Sequence, residues 1–165
     1  MPTYERRTRV RAPLEDVWSF HSQVSGLETL TPDWMRLRVE SVVGPDGDPD
    51  PDVLEVGSEV TLSVRPCGAG PRQRWTSVIT ERERGDGAAY FRDEMVDGPF
   101  DEWTHTHAFY ADGEATIVRD HVEYALPLGP LDSSGPLAAA ATPFSSLGFE
   151  AMFRDRHRRT RELLE

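Results

Sequence analysis

The stretch "FRDEMVDGPFDEWTHTHAFY", Phe91 to Tyr110, holds two extended segments joined by a turn. Its second half places Trp103, His105, His107 and Phe109 at alternate positions, so one face of a strand carries two imidazoles between two aromatic rings. The first half puts Phe91, Asp93 and Met95 on one face and leaves Arg92 and Glu94 for the other. The "DGP" between them is hairpin chemistry. An inward face that mixes His and Asp with aromatics implies a polar seam in an apolar interior.

Outward from this hairpin the strand pattern continues. "ADGE" turns into Ala115 to Leu126, where Val118, Asp120, Val122 and Tyr124 share a side. Upstream, Gln73 to Glu83 carries Trp75, and Met35, Leu37, Val39 and Val60, Leu62, Val64 alternate with polar residues. The separator at Gly44 to Gly57, rich in Pro, Gly and Asp, reads as a long solvated acidic loop. Tyr4 to Arg11 also alternates, as an edge-like first strand. Pro13 then suits the first turn of a helix whose Leu14, Val17, Trp18 and His21 recur at helical spacing, and a second short helix fits Gly26 to Leu30.

After "LPLGPLDSSGP" the period changes. Thr142 and Pro143 form an N-cap and first-turn pair, and Phe149, Met152, Phe153, Thr160, Leu163 and Leu164 fall on one stripe. A helix of about 22 residues, roughly 33 Å long, would span a sheet. Arg154, Arg156, Arg158, Arg159 and Arg161 suit the negative end of its dipole. Six to seven antiparallel strands, two short helices after the first strand and one long terminal helix make an α+β plan, in which the sheet curls around the helix. The 165 residues are the size of one domain, so residues 1–165 are expected to fold as one.

A formal net charge of −11 opposes nucleic acid or an anionic membrane as partner, since both reward clustered positive charge. All 18 basic residues are Arg, and carboxylates crowd the loops, a balance that fits a salt-rich interior. One cysteine, Cys67, permits no intrachain disulfide. With no apolar run long enough to span a bilayer and no apolar leader, the expectation is a soluble cytoplasmic protein.

The polar seam has four readings. A metal site needs three ligands in a tight constellation, which one H-x-H with scattered carboxylates does not by itself supply. Acid/base catalysis needs an imidazole held by a carboxylate, for which His105 or His107 with Asp120 or Asp93 are the candidates. The same groups can satisfy one another across the sheet, or orient a ligand without chemistry. The aromatic walls of Trp103 and Phe109 favour a hydrogen-bonded seam over a metal. His21 reads as a satisfied core histidine, and His121 and His157 as solvent-facing. No common hydrolase, phosphate-loop, dinucleotide or zincin motif occurs, so no cofactor is expected.

The order of elements, with "MVDGPFDEWTHTHAF", "TIVRDHVEYALPLGPL" and "MFRDRHRRTRELL", resembles the START-like, helix-grip superfamily, and more narrowly its SRPBCC branch of polyketide cyclase/dehydrase-like and lipid-transport proteins. The resemblance covers nearly the whole chain, and the acidic insertion at Gly44 to Gly57 departs from it. It implies an antiparallel sheet wrapped around the last helix, with an internal cavity for a small apolar or amphipathic molecule. It does not imply one reaction, because the superfamily includes carriers, receptors, cyclases and protein-binding modules. The residues expected around a ligand are Trp75, Phe91, Asp93, Met95, Trp103, His105, His107, Phe109, Asp120, Val122 and Tyr124 from the sheet, with Phe149, Met152 and Phe153 from the helix.

Overall fold

The structure is a computed structural model that describes residues 1–125 and 146–165. Seven strands, β1 (Thr3–Val10), β2 (Arg38–Val43), β3 (Glu59–Val64), β4 (Gln73–Arg84), β5 (Ala88–Asp97), β6 (Glu102–Asp112) and β7 (Ala115–Ala125), form one antiparallel sheet in the order β1-β7-β6-β5-β4-β3-β2. Consecutive strands from β2 to β7 are neighbours, with short turns between β4 and β7 and the long acidic loop between β2 and β3. The chain's first strand closes the far side by pairing with its last, Thr3 opposite Glu123 and Val10 opposite Thr116. The predicted edge strand is thus found at an edge.

Two short helices, α1 (Leu14–His21) and α2 (Val24–Leu30), follow β1, and α3 (Ser146–Leu164) ends the chain. The helix α1 buries Leu14, Val17, Trp18 and His21, the four positions that share a face at helical spacing. Phe149 and Phe153 of α3 are essentially fully buried against Met35, Val64, Val122 and Tyr124. Polar contacts fix how α3 lies. Tyr4 donates to Glu150 at 2.7 Å, Arg6 pairs with the same carboxylate, Arg161 donates to Thr8 at 2.6 Å, and Arg159 reaches Asp33 at 3.1 Å. The helix is clamped to β1 on one side and to the α2 region on the other, across the curved face of the sheet. This is the helix-grip arrangement expected from the sequence. The proposed cap at Thr142 and Pro143 lies outside the described residues.

Three expectations need correction. The segment at Met35 is a 3-10 turn rather than the start of a strand, with Arg36 at φ 52, and the strand begins only at Arg38. Phe100 sits in the turn before β6, buried, and Glu102 begins the strand. The acidic loop is not wholly solvated. Leu54 is 6% exposed and belongs to the main core cluster, because backbone bonds from Leu54 N to Ser22 O (2.9 Å) and from Val24 N to Asp52 O (3.1 Å) dock the loop on the α1–α2 junction. One apolar side chain in an acidic segment is enough to anchor it, since burying a leucine is worth about 1.5–3 kcal/mol.

Candidate functional site

Strand register brings the polar residues together. On β5, β6 and β7, Asp93 lies opposite His105 and Phe91 opposite His107, while His107 lies opposite Asp120. Each carboxylate nevertheless bonds the imidazole diagonal to it. His105 Nε2 is 2.9 Å from Asp120 Oδ1, and His107 Nε2 is 3.1 Å from Asp93 Oδ1. The directly opposite contacts are longer or poorly aligned, at 3.7 Å for His105 Nδ1 to Asp93 and 3.2 Å for His107 Nδ1 to Asp120. The two imidazole rings lie 3.6 Å apart between centroids, and Phe91 stacks on His107 at 4.1 Å with 17° between planes.

The helix completes the network. His157 Nε2 lies 2.5 Å from Asp120 Oδ2, and both residues are 2% exposed, so one buried carboxylate joins imidazoles from β6 and α3. The expectation that His157 faces solvent is therefore wrong. It projects from the buried side of α3, four residues after Phe153. His121 is half-buried on the other face of β7, 3.3 Å from Glu5.

The electrostatics follow from burial and contact. Burial alone would raise Asp120, but hydrogen bonds from His105, His107 and His157 hold it well below the usual carboxylate range. Burial likewise opposes ionisation of Asp93, yet the bond to His107, the nearby imidazoles and the Trp103 indole N–H bring it down. His105 is lowered by burial and by the neighbouring His107, whereas at His107 bonding to the two carboxylates outweighs burial and raises it. The two imidazoles are pushed apart, with His105 favoured neutral and His107 favoured charged. With Nε2–H donated to Asp120, a neutral His105 keeps its lone pair on Nδ1.

Beside this network is a cavity of about 130 Å³ between the concave face of the sheet, α1, α2 and α3. Its wall includes Trp75, Phe91, Asp93, Trp103, His105 and His107 from the sheet and Met152 and Phe153 from α3. The other expected residues do not line it. Phe109 is buried against Trp18, His21 and Phe91, while Val122, Tyr124 and Phe149 form a packed layer near the start of α3. Asp120 acts from behind the imidazoles, and Met95 packs at the margin of that layer.

Sequence reasoning missed two sets of wall residues. The apolar end is built by Leu27, Leu37, Leu54, Val60, Leu62 and Ile79, which were read only as helix, strand or loop positions. The polar end gains Arg156, counted from the sequence among the dipole-complementing arginines. Its signal was present. The stripe Phe149, Met152, Phe153, Thr160 has a gap of one turn, and Arg156 and His157 are the residues that fill it. His21 also touches the cavity. It donates Nδ1–H to Val17 O at 2.8 Å, and burial pushes it down to about 3.

The sequence model of the family described as "Polyketide cyclase / dehydrase and lipid transport" matches residues 10–152. The chain belongs to this family. Solved structures share its fold at low identity. A Thermus thermophilus protein is 21% identical over 99% of this chain and 100% of its own, with a TM-score of 0.61. An Arthrobacter aurescens protein is 14% identical over 98% and 85%, with a TM-score of 0.63. A norcoclaurine synthase point mutant from Thalictrum flavum, in complex with a transition state analogue, is 19% identical over 91% and 95%, with a TM-score of 0.56. No curated protein sequence matches the chain.

As in any polyketide cyclase/dehydrase and lipid-transport family member, membership gives a ligand-binding or cyclase-like role without choosing between them. Two features bear on the choice. Asp93, His105 and His107 each offer one ligand atom within 4.8 Å of the others, so three possible metal donors do converge. Each, however, already has a protein hydrogen-bond partner in the network. No helix among the described residues is long and apolar enough to cross a membrane.

Proposed function

We propose that this protein binds a small, largely apolar molecule in the cavity between sheet and helices, with the His–Asp seam orienting it. The observation that carries the reading is one cavity with an aliphatic and aromatic lining on one side and a few convergent polar groups on the other. Such a lining supplies affinity through burial and orientation through the polar groups. A cavity of about 130 Å³ is close to the ~150 Å³ engineered cavity that takes up benzene, so the enclosed part of the ligand is about one ring in size. The seam is a hydrogen-bonded structure rather than a metal site. Native mass spectrometry of protein purified without a His-tag tests both statements. A copurifying small molecule without metal supports them, whereas stoichiometric zinc or iron lost on replacing both His105 and His107 refutes the second.

A second reading is acid/base catalysis of the cyclase or dehydratase type. It is favoured by the divergence of two adjacent imidazoles, because a neutral His105 held by Asp120 is built as a base and a charged His107 as an acid. Asp120 serves here as a positioning residue behind the cavity wall. The reading predicts bell-shaped pH dependence of turnover whose limbs move separately with His105→Gln and His107→Gln. The cytoplasm is the proposed compartment.

A further inference from the structure

Every carboxylate in the seam is already bonded. Asp120 meets His105 through one oxygen and His157 through the other, and Asp93 meets His107 and the Trp103 indole. The guanidinium of Arg156 is in the opposite position. It lines the cavity from α3, yet among the described residues it makes no hydrogen bond and no ion pair within 4.0 Å, only longer-range attraction to Asp120 and Asp93. His107 Nδ1, in the same wall, has only the poorly aligned 3.2 Å contact to Asp120. The unmet polar groups of the polar end are thus donors, and the chief of them is a planar fork with five N–H groups.

Resting on the reading of the cavity as a small-molecule site, we propose that Arg156 is its specificity residue and that the preferred ligand is an apolar, one-ring-sized monocarboxylate whose head meets the guanidinium. A carboxylate matches the fork with two parallel charge-assisted bonds, which neither a hydroxyl nor an amine can make. The ring then lies toward Leu62, Ile79 and Trp75, where no polar partner is needed. The carboxylates of Asp93 and Asp120 do not compete for the head, since their oxygens are turned to imidazole and indole N–H groups.

The test is a calorimetric titration at neutral pH with benzoate, benzyl alcohol and benzylamine, three one-ring probes that differ only in the head. Wild-type protein should bind benzoate at least about tenfold more tightly than benzyl alcohol, the size of one charge-assisted bond pair. Arg156→Gln should abolish that preference while leaving benzyl alcohol within about twofold. Arg156→Lys, which keeps the charge but not the fork, should fall between them, and circular dichroism checks that each variant is folded. Equal binding of benzoate and benzyl alcohol, a preference for benzylamine, or an equal loss of both probes in Arg156→Gln would overturn the assignment while leaving the cavity reading intact. Failure of all three probes to bind wild-type protein would sink the cavity reading, and this assignment with it.

Discussion

The two ends of the cavity are built from the same sheet by opposite means. At the β3–β4 end, Val60, Leu62 and Ile79 face the cavity as members of the apolar core, held by packing alone. At the β5–β7 end, two hydrogen-bonded groups, Asp93 with His107 and Asp120 with His105 and His157, are joined into one unit by the 3.2 Å contact of His107 to Asp120 and the adjacent imidazole rings. Apolar packing degrades gradually when a group is removed, whereas a buried network fails as a unit because the survivors are left charged or unpaired. The polar end should therefore be the less tolerant of the two.

The sharpest way to break this contrast is at Asp120. Replacing it by Asn keeps the shape but removes the charge that three imidazoles surround. We expect a loss of about 3–5 kcal/mol in urea unfolding, the range seen when one partner of a buried ionic group is removed. The matched change at the apolar end, Leu62→Ala, should cost about 2 kcal/mol, the low end for a buried leucine, because one side of Leu62 already faces a void. If Leu62→Ala proves the more damaging, the network is not a unit.

Acid distinguishes the ends next. His21 titrates at about 3 instead of 6.5, so between those values the unfolded chain binds a proton that the folded chain refuses. Stability should fall as pH drops through that window, by up to ~1.4 kcal/mol per pH unit from this group. His105 acts in the same sense, and the lowered Asp120 and Asp93 add a loss below their ordinary value of 3.8. His107 works oppositely, since its raised value contributes stability in acid that is lost above 6.5. His21→Leu should make the acid limb shallower, as measured by urea midpoints from pH 7 to 4. An unchanged slope would show that His21 is not the neutral core group described here.

Salt should give the smallest effect, and it acts on neither end. With a net charge of −11, surface carboxylates repel one another, and screening tightens from about 8 Å at 0.15 M to about 3 Å at 1 M. The melting temperature should rise modestly with KCl in wild type and in Leu62→Ala alike. A flat or falling curve would contradict the repulsion argument.

Much of this was legible in the amino-acid order, for physical reasons. Period-two alternation placed His105, His107, Asp93 and Asp120 on one sheet face, and the switch to helical period located α3. What escaped was whatever depends on contacts between distant segments. Leu54 sits in an acidic loop, and only docking on Ser22 and Val24 makes it core. His157 and Arg156 lie in an arginine-rich run whose composition suggests solvent, and the missing turn in the apolar stripe was the one local clue. Phe109 shows the converse error. It shares the imidazole face, but α1 covers it with Trp18 and His21 before the cavity begins.

The central claim is that the space between sheet and helix takes up a one-ring apolar molecule, and a calorimetric titration with toluene at two temperatures tests it most directly. Wild-type protein should bind one equivalent with a negative heat-capacity change, the mark of apolar burial, and Ile79→Trp, which fills the apolar end, should abolish binding while remaining folded. No saturable heat in the wild type, or binding that survives the filled cavity, would contradict the account.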